Sequence, residues 1–250
     1  MKVNKIGVLT GGGDCPGLNS VIRAVTKTAI NLYDMEVIGF VDGFKGLVEN
    51  SYIKLDLPGV SGINHKGGTI LGTTNRDNPF HFLTLQNGKE EYLDQSDRAI
   101  NNLKSLGIDG LIVIGGDGSL HIAQKFSDKG VSVVGVPKTI DNDLSATDVT
   151  FGFNTAVNTA SEALDKLHTT AESHHRVMIL EVMGRYAGWI ALHAGLSGGA
   201  DVILIPEIPY KIEKIIEKVH QRYQQHKKFS IIVVAEGALP ENGEMVVQKL

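Results

Sequence analysis

The sequence has little of several features that mark particular classes of protein. Its 250 residues include one cysteine, which excludes an intramolecular disulfide and any multi-cysteine metal site. No apolar run reaches the roughly 18 residues of a membrane span, and no signal-peptide pattern opens the chain. The 24 basic and 28 acidic residues give a net charge of −4, too balanced for a general nucleic-acid binder. We therefore expect a cytoplasmic protein with no membrane and no nucleic-acid partner.

Aromatic residues are sparse, at 6%, whereas glycine is common, with 29 residues. Short β-branched runs alternate with helix-like stretches, and this rhythm predicts an α/β fold with doubly wound parallel sheets. The predicted strands are Lys5–Thr10, Glu36–Asp42, Gly110–Ile114, Val131–Val136, Val177–Val182, Val202–Ile205 and Ser230–Ala235. The predicted helices are Leu18–Leu32, Ser96–Leu106, Leu120–Asp128, Thr155–Thr169 and Ile212–His226.

A glycine-rich loop, Gly11–Gly17, follows the first predicted strand, where ligands of such sheets bind. Its glycines let the backbone approach a ligand closely, and the next helix offers free N–H groups to an anion. The loop lacks the last glycine of the dinucleotide fingerprint, because Pro16 stands there, and no stretch forms a Walker loop. A tight turn without a ligand is the alternative.

A second loop, Gly115–Ser119, places a carboxylate among glycines at the end of another strand. Asp117 suits a Mg²⁺ ion that keeps most of its waters and also touches phosphates. Gly116 and Gly118 leave room for a phosphate chain, and Ser119 adds a hydroxyl. The alternative is a helix cap, because Asp and Ser are both good N-cap residues.

A third polar segment, Pro137–Asp143, follows the predicted strand Val131–Val136. Its two acids, Asp141 and Asp143, can divide the work of accepting a proton and supporting a metal site. Lys138 supplies a cation for a transferring phosphoryl group. An Asx-turn is the alternative. We expect the three loops to converge on one cleft.

Two arginines later in the chain are candidate anion receptors. Arg176 precedes the strand Val177–Val182, and Arg185 follows it. Guanidinium groups match phosphate geometry, although a lone arginine is more often a surface charge. Glu236 follows the last strand, where it accepts sugar hydroxyls or is an ordinary exposed acid.

In order along the chain, the segments GGGDCPGLN, GGTILG, GGDGS, PKTIDND, SHHR and EVMGRYAGW resemble the phosphofructokinase family. NAD kinases and lipid kinases share a loop like GGDGS, but they do not explain PKTIDND or EVMGR. The resemblance implies Mg²⁺ as cofactor, ATP as phosphoryl donor, fructose 6-phosphate as substrate, and a homo-oligomer, either dimer or tetramer. It also implies two subdomains, residues 1–138 for the nucleotide and 139–250 for the sugar phosphate. Relative to the family, we expect the chain to be incomplete at its C-terminus.

The resemblance also implies roles for particular residues. Asp141 is the general base, with Lys138 and Arg185 completing the catalytic set. The nucleotide is bound by Gly13, Arg76, Gly116, Asp117, Gly118 and Ser119, with Asp117 on the metal. The sugar phosphate is bound by Thr139, Ile140, Asp141, Arg176, Met183, Gly184, Arg185 and Glu236, with Arg176 reaching a neighbouring subunit.

The donor signature is mixed. Gly118 is typical of ATP-using members, whereas Lys138 is typical of pyrophosphate-using ones. Arg76 stands in for the adenine-side Arg-Phe pair of the family. We give more weight to Gly118, because a carboxylate there would intrude on the α-phosphate of ATP. A pyrophosphate-dependent enzyme and a non-catalytic binding module are the alternatives.

Overall fold

The computed structural model describes residues 3–86 and 89–243. The chain divides into two compact units, Met1–Thr139 and Ile140–Leu250. No helix in these described ranges is both long and apolar enough to cross a membrane. The functional roles expected of residues 1–138 and 139–250 stay predictions, since a division into compact units says nothing about ligands.

Unit 1 is an α/β unit in which strands and helices alternate. Its described elements are β1 (Lys5–Gly11), α1 (Leu18–Tyr33), β2 (Glu36–Phe40), α2 (Phe44–Glu49), β3 (Tyr52–Leu55), β4 (Phe82–Gln86), β5 (Lys89–Leu93), α3 (Ser96–Ser105), β6 (Gly110–Gly115), α4 (Asp117–Asp128) and β7 (Val133–Thr139).

The strands of the main sheet of unit 1 follow the order β3-β2-β1-β6-β7. β1 runs parallel to β2 and β6, and β6 runs parallel to β7, while β3 is antiparallel to β2. The chain leaves β1 in one direction, towards β2, and leaves β6 in the other, towards β7. The strand order therefore reverses between β1 and β6, and their carboxyl ends flank the position where doubly wound sheets bind ligands.

The core of unit 1 explains why these strands are so apolar. Leu9, Phe40 and Val113 are fully buried and pack with residues of α2, α3 and α4, including Leu47 and Phe126. Strands covered by helices on both faces read as continuous hydrophobic runs rather than as alternating ones. The antiparallel hairpin of β4 and β5 is separate from this sheet.

Unit 2 is built around a smaller parallel sheet. Its described elements are β8 (Phe151–Gly152), α5 (Phe153–His174), β9 (Val177–Val182), α6 (Trp189–Ser197), β10 (Val202–Leu204), α7 (Ile212–Gln224) and β11 (Ser230–Ala235). The sheet order is β10-β11-β9, with both pairs parallel. Because Val182 pairs with Ala235, the loops after β9 and β11 leave the sheet side by side.

A largely buried ion pair holds α7 to the amino ends of β10 and β11. Arg222 Nη1 lies 2.6 Å from Asp201 Oδ1, and both side chains are only 13% exposed. The other oxygen of Asp201 accepts the Ile231 N–H at 2.9 Å. Arg222 also donates to the Phe229 carbonyl at 3.1 Å and to Ser230 Oγ at 3.1 Å. The polar side-chain atoms of Arg222 and Asp201 therefore all have partners, and these bonds join α7, β10 and β11.

The predicted α/β class with parallel sheets is confirmed. β9 and β11 match their predicted bounds, but two elements differ in ways that concern the loops. β7 continues through Pro137 to Thr139, because the fixed φ of proline suits extended backbone. α4 begins at Asp117 rather than at Leu120, so the polar residues that follow Gly116 form its first turn.

Candidate active site

A polar cavity of about 470 Å³ lies in unit 1, at the carboxyl ends of β1, β6 and β7. The predicted site residues that line it are Gly13, Gly116, Asp117, Gly118, Ser119, Lys138 and Thr139. Arg76 is exposed and does not line it, although its neighbours Asn75 and Asp77 do. The first two glycine loops and the end of β7 therefore line one cavity, and the presence of Asp141, from the rest of the third segment, at the same site stays a prediction.

The second loop is shaped by the way Ser119 packs between two strand ends. Ser119 is 8% exposed. A Cβ atom at Gly11 would lie 2.6 Å from Ser119 Oγ, and one at Gly115 would overlap Ser119 Cβ. These two glycines are therefore required for close packing at the reversal point of the sheet.

The first turn of α4 is open to the cavity. Gly116 is its N-cap residue and makes no side-chain cap bond, so neither Asp117 nor Ser119 is the N-cap that the alternative interpretation assumed. A Cβ atom built on Gly118 would have no atom of the described protein within 4 Å, apart from its chain neighbours and the backbone of its own helix. The turn therefore presents N–H groups and an exposed carboxylate to empty space.

Lys138 anchors the glycine loop through a hydrogen bond to the backbone of that loop. Its side chain is only 5% exposed, and Nζ donates to the Gly13 carbonyl at 2.7 Å. Burial lowers the pKa of Lys138, and the nearby Cys15 and Asp14 oppose this shift to a smaller extent. The cavity thus has a desolvated ammonium group at its wall.

Sequence reasoning missed the segment that forms another wall of the cavity. Thr74, Asn75, Asp77 and Asn78 line it, and the Thr74 hydroxyl donates to Asp77 Oδ2 at 2.7 Å. The remaining unpredicted lining residues are Phe44, His121 and Ile122. The signal available in the sequence is the polar run after Gly72, in which Arg76 is the predicted site residue.

In unit 2, a second group of predicted residues lies where β9 and β11 end. Met183, Gly184 and Arg185 follow β9, and Glu236 follows β11. The Glu236 N–H donates to the Val182 carbonyl at 2.9 Å, and the Gly237 N–H donates to the Gly184 carbonyl at 3.2 Å. Gly184 has a φ of +141°, which few other residues adopt. This pairing brings Glu236 beside the arginine-bearing loop.

Asp141 belongs to unit 2 and sits near acidic groups. Its pKa is raised, chiefly by burial and then by the charges of Asp143 and Glu236. The next residue, Asn142, has a φ of +52°, and its Oδ1 accepts the Thr150 N–H at 2.9 Å. Asn142 thus shapes the loop, while Asp141 has a carboxyl group that resists ionisation.

Ile140 and Arg176, two other predicted site residues, differ in where they lie: Ile140 is the chain neighbour of Asp141, whereas Arg176 is distant from the loop that carries Arg185. Ile140 packs against the hydrophobic core of unit 2. Arg176 is exposed and precedes β9, whereas Arg185 follows it. A six-residue strand is about 20 Å long, so the two arginines lie at opposite ends of the sheet. Contacts of Ile140 and Arg176 with a sugar phosphate stay predictions.

These observations define an α/β protein with a glycine-lined polar cavity at the reversal point of a parallel sheet. The phosphofructokinase family profile matches residues 5–250 of the chain. The chain therefore belongs to the phosphofructokinase family, as the sequence motifs indicated.

Known relatives include users of two phosphoryl donors. The chain is 64% identical, over 99% of its length, to the ATP-dependent 6-phosphofructokinase 2 of Clostridium perfringens, and covers 68% of that protein. It is 53% identical, over 98% of its length, to a pyrophosphate–fructose 6-phosphate 1-phosphotransferase of Streptomyces coelicolor, again covering 68%. The chain thus spans about two thirds of these relatives.

A solved structure agrees with the fold. The phosphofructokinase of Saccharomyces cerevisiae superposes with a TM-score of 0.79 at 36% identity, covering 95% of this chain and 34% of that one.

Proposed function

We propose that the chain forms an ATP-dependent 6-phosphofructokinase, which transfers the γ-phosphoryl group of ATP to the C1 hydroxyl of fructose 6-phosphate and yields fructose 1,6-bisphosphate. The observation that carries this proposal is the unit 1 cavity, in which Asp117 stands beside the bare backbone of Gly118. The 64% identity to an ATP-dependent relative supports the same donor.

The residues of the cavity fit a nucleotide that brings its own magnesium. Among the described residues, no group of three or more His, Cys, Asp or Glu side chains could hold a metal ion. Mg²⁺ does not need such a cage, because it commonly binds through one or two carboxylates together with substrate phosphates and water. Asp117 would hold it, and the ion would neutralise charge on the phosphates.

The phosphates themselves are bound by the backbone and by Lys138. The unsatisfied N–H groups at the start of α4 and the glycine loop suit anionic oxygens. Lys138 adds positive charge at the wall formed by Gly13. A loose phosphoryl-transfer transition state is stabilised mainly by such positioning and charge neutralisation.

Asp141 acts as the general base. The C1 hydroxyl oxygen attacks the γ-phosphorus, the bond from that phosphorus to the bridging oxygen breaks, and the hydroxyl proton passes to Asp141. Burial and the neighbouring acids raise the pKa of Asp141, which makes its carboxylate a better proton acceptor. Met183, Gly184, Arg185 and Glu236 bind the sugar phosphate, with Arg185 matching the phosphate and Glu236 accepting sugar hydroxyls.

The chain also works as a homo-oligomer in this proposal. Arg176 lies at the far end of β9 from Arg185. An arginine so placed is suited to the sugar-phosphate site of a neighbouring copy rather than to its own.

Pyrophosphate is the alternative donor. The Streptomyces coelicolor relative and the buried Lys138 favour it, whereas the open space at Gly118 favours ATP. A coupled assay of fructose 1,6-bisphosphate formation with each donor separates the two. We expect turnover with ATP, and a preference for pyrophosphate would overturn the donor assignment.

Variants of the base test the chemistry. Asp141→Asn should lower kcat by about 10²–10⁴ and leave MgATP binding intact, because general-base catalysis typically contributes that factor. Asp148→Asn, at an exposed acid of the same loop, is the matched control. If MgATP raises the melting temperature of the parent chain but neither the parent nor any variant turns over substrate, the chain is a non-catalytic binding module.

A further inference from the structure

The glycine loop is held by a threonine that the motifs did not single out. Thr73 Oγ1 lies 2.6 Å from the Gly12 carbonyl and 3.1 Å from the Thr10 carbonyl. The Gly12 N–H donates to the Thr74 carbonyl at 3.1 Å. Both polar groups of Gly12 are therefore bound by the segment that follows Gly72.

Peptide geometry links this contact to the next residue. The carbonyl of Gly12 and the N–H of Gly13 belong to one planar trans peptide, so they point in opposite directions. A Gly12 carbonyl held by Thr73 therefore turns the Gly13 N–H away from Thr73. Gly13 lines the cavity, and in the described chain its N–H donates to no backbone acceptor. That N–H is available to an anion.

The orientation needs an external restraint. Gly12 has a φ of +80°, and neither glycine has a side chain to limit rotation of the peptide between them. On the far side, Lys138 holds the Gly13 carbonyl at 2.7 Å. Among the described residues, Thr73 is the side chain that hydrogen-bonds the Gly12–Gly13 peptide. Donors fixed before the ligand arrives stabilise charge without a reorganisation cost.

We propose that Thr73 is a positioning residue for the phosphoryl donor: its hydroxyl fixes the Gly12–Gly13 peptide so that the Gly13 N–H is directed at a donor phosphate. This inference rests on the proposed function. It differs from a purely structural role, in which the Thr73 hydroxyl would stabilise the fold and leave phosphate affinity unchanged.

Three variants test the proposal. Thr73→Val keeps the shape and removes the hydroxyl, while Thr73→Ser keeps the hydroxyl. Thr84→Val is the control, because its hydroxyl also donates to a backbone carbonyl, that of Glu91 at 3.0 Å, on the hairpin of β4 and β5. Calorimetric titration with MgATP, and with fructose 6-phosphate, gives the two affinities separately.

We expect Thr73→Val to weaken MgATP binding and raise the KM for ATP about ten- to hundredfold, the usual worth of a hydrogen bond to a charged group. Fructose 6-phosphate affinity should not change, and Thr73→Ser should restore most of the ATP affinity. The ¹H–¹⁵N resonance of Gly13 should move downfield with MgATP in the parent chain and less in Thr73→Val.

An unchanged ATP affinity in Thr73→Val, with a lower melting temperature, would reject the positioning role. If Thr73→Val does not fold, Thr73→Ala is measured in its place. Failure of the parent chain to bind MgATP would reject the proposed function itself, so the two failures are distinguishable.

Discussion

Placing a carboxylate at position 118 gives the sharpest test of how the cavity selects its donor. Gly118 is the second residue of α4, has no unusual φ, and has open space where a Cβ would stand. Gly118→Asp should therefore fold normally. An acid in the first helical turn is itself mildly favourable, by about 0.3–1 kcal/mol.

The introduced carboxylate should instead weaken ATP binding, because it repels the phosphates of the nucleotide. Two like charges about 4 Å apart repel by about 1 kcal/mol in water and about 4 kcal/mol near a protein surface. Because Gly118 is exposed, we take an intermediate value of about 2 kcal/mol, which corresponds to about a 30-fold loss of ATP affinity. The loss should exceed any loss for pyrophosphate, which has no α-phosphate to pass this point.

Two further variants separate charge from size. Gly118→Ala should bind ATP almost normally and be more stable by up to about 1 kcal/mol, since glycine is the poorer helix former. Gly118→Asn has the shape of aspartate without its charge and should lose only a small part of the affinity. Titration calorimetry with MgATP measures all three. Equal ATP affinity in Gly118→Asp and Gly118→Ala would refute the argument that this backbone faces the phosphates.

Three other predictions concern charges in the two units. The pKa of Asp141 is higher in the folded chain than in the unfolded one. The free energy of unfolding should therefore fall as the pH rises from the unfolded-state pKa to the folded-state pKa of this group. Asp141→Asn should flatten this slope in urea titrations, and an unchanged slope would contradict the assigned shift. Burial lowers the pKa of Lys138, and a bound phosphate should raise it again; calorimetry at alkaline pH in two buffers should show proton uptake that Lys138→Met abolishes. Asp201→Ala leaves the partly buried Arg222 without its ionic partner and should lower the free energy of unfolding by about 1–3 kcal/mol. A loss under about 1 kcal/mol would mean that the pair is dispensable.

The sequence predicted the parts of the fold that local chemistry controls. The strands β9 and β11 were found to the residue, because β9 begins directly after the charged Arg176 and β11 ends directly before the charged Glu236. The mostly apolar helix α6 was missed, since it lacks the 3.6-residue alternation that identifies a half-exposed helix. The hairpin of β4 and β5 was also missed, because strand pairing depends on contacts that no single segment encodes.

The candidate site divides in the same way. Asp117 and the glycines that line the cavity were selected because a carboxylate among several glycines directly after an apolar strand is a local pattern that a single segment encodes. Thr73 was not selected, because a threonine after a glycine is an ordinary pattern until the structure shows its hydroxyl close to the carbonyls of Thr10 in β1 and Gly12 in the glycine loop. Long-range hydrogen bonds of this kind come from the fold and leave no periodic trace in the sequence.

The close packing of Ser119 against Gly11 and Gly115 limits which substitutions these three positions tolerate. Gly11 and Gly115 have a hydrogen atom where other residues have Cβ, and the side chain of Ser119 fills the space that the two missing Cβ atoms leave. The three positions are therefore not independent: a methyl group gained at either strand end must be offset by a smaller residue at 119. Substitutions tolerated one at a time elsewhere in the sheet would here be acceptable only in matched sets.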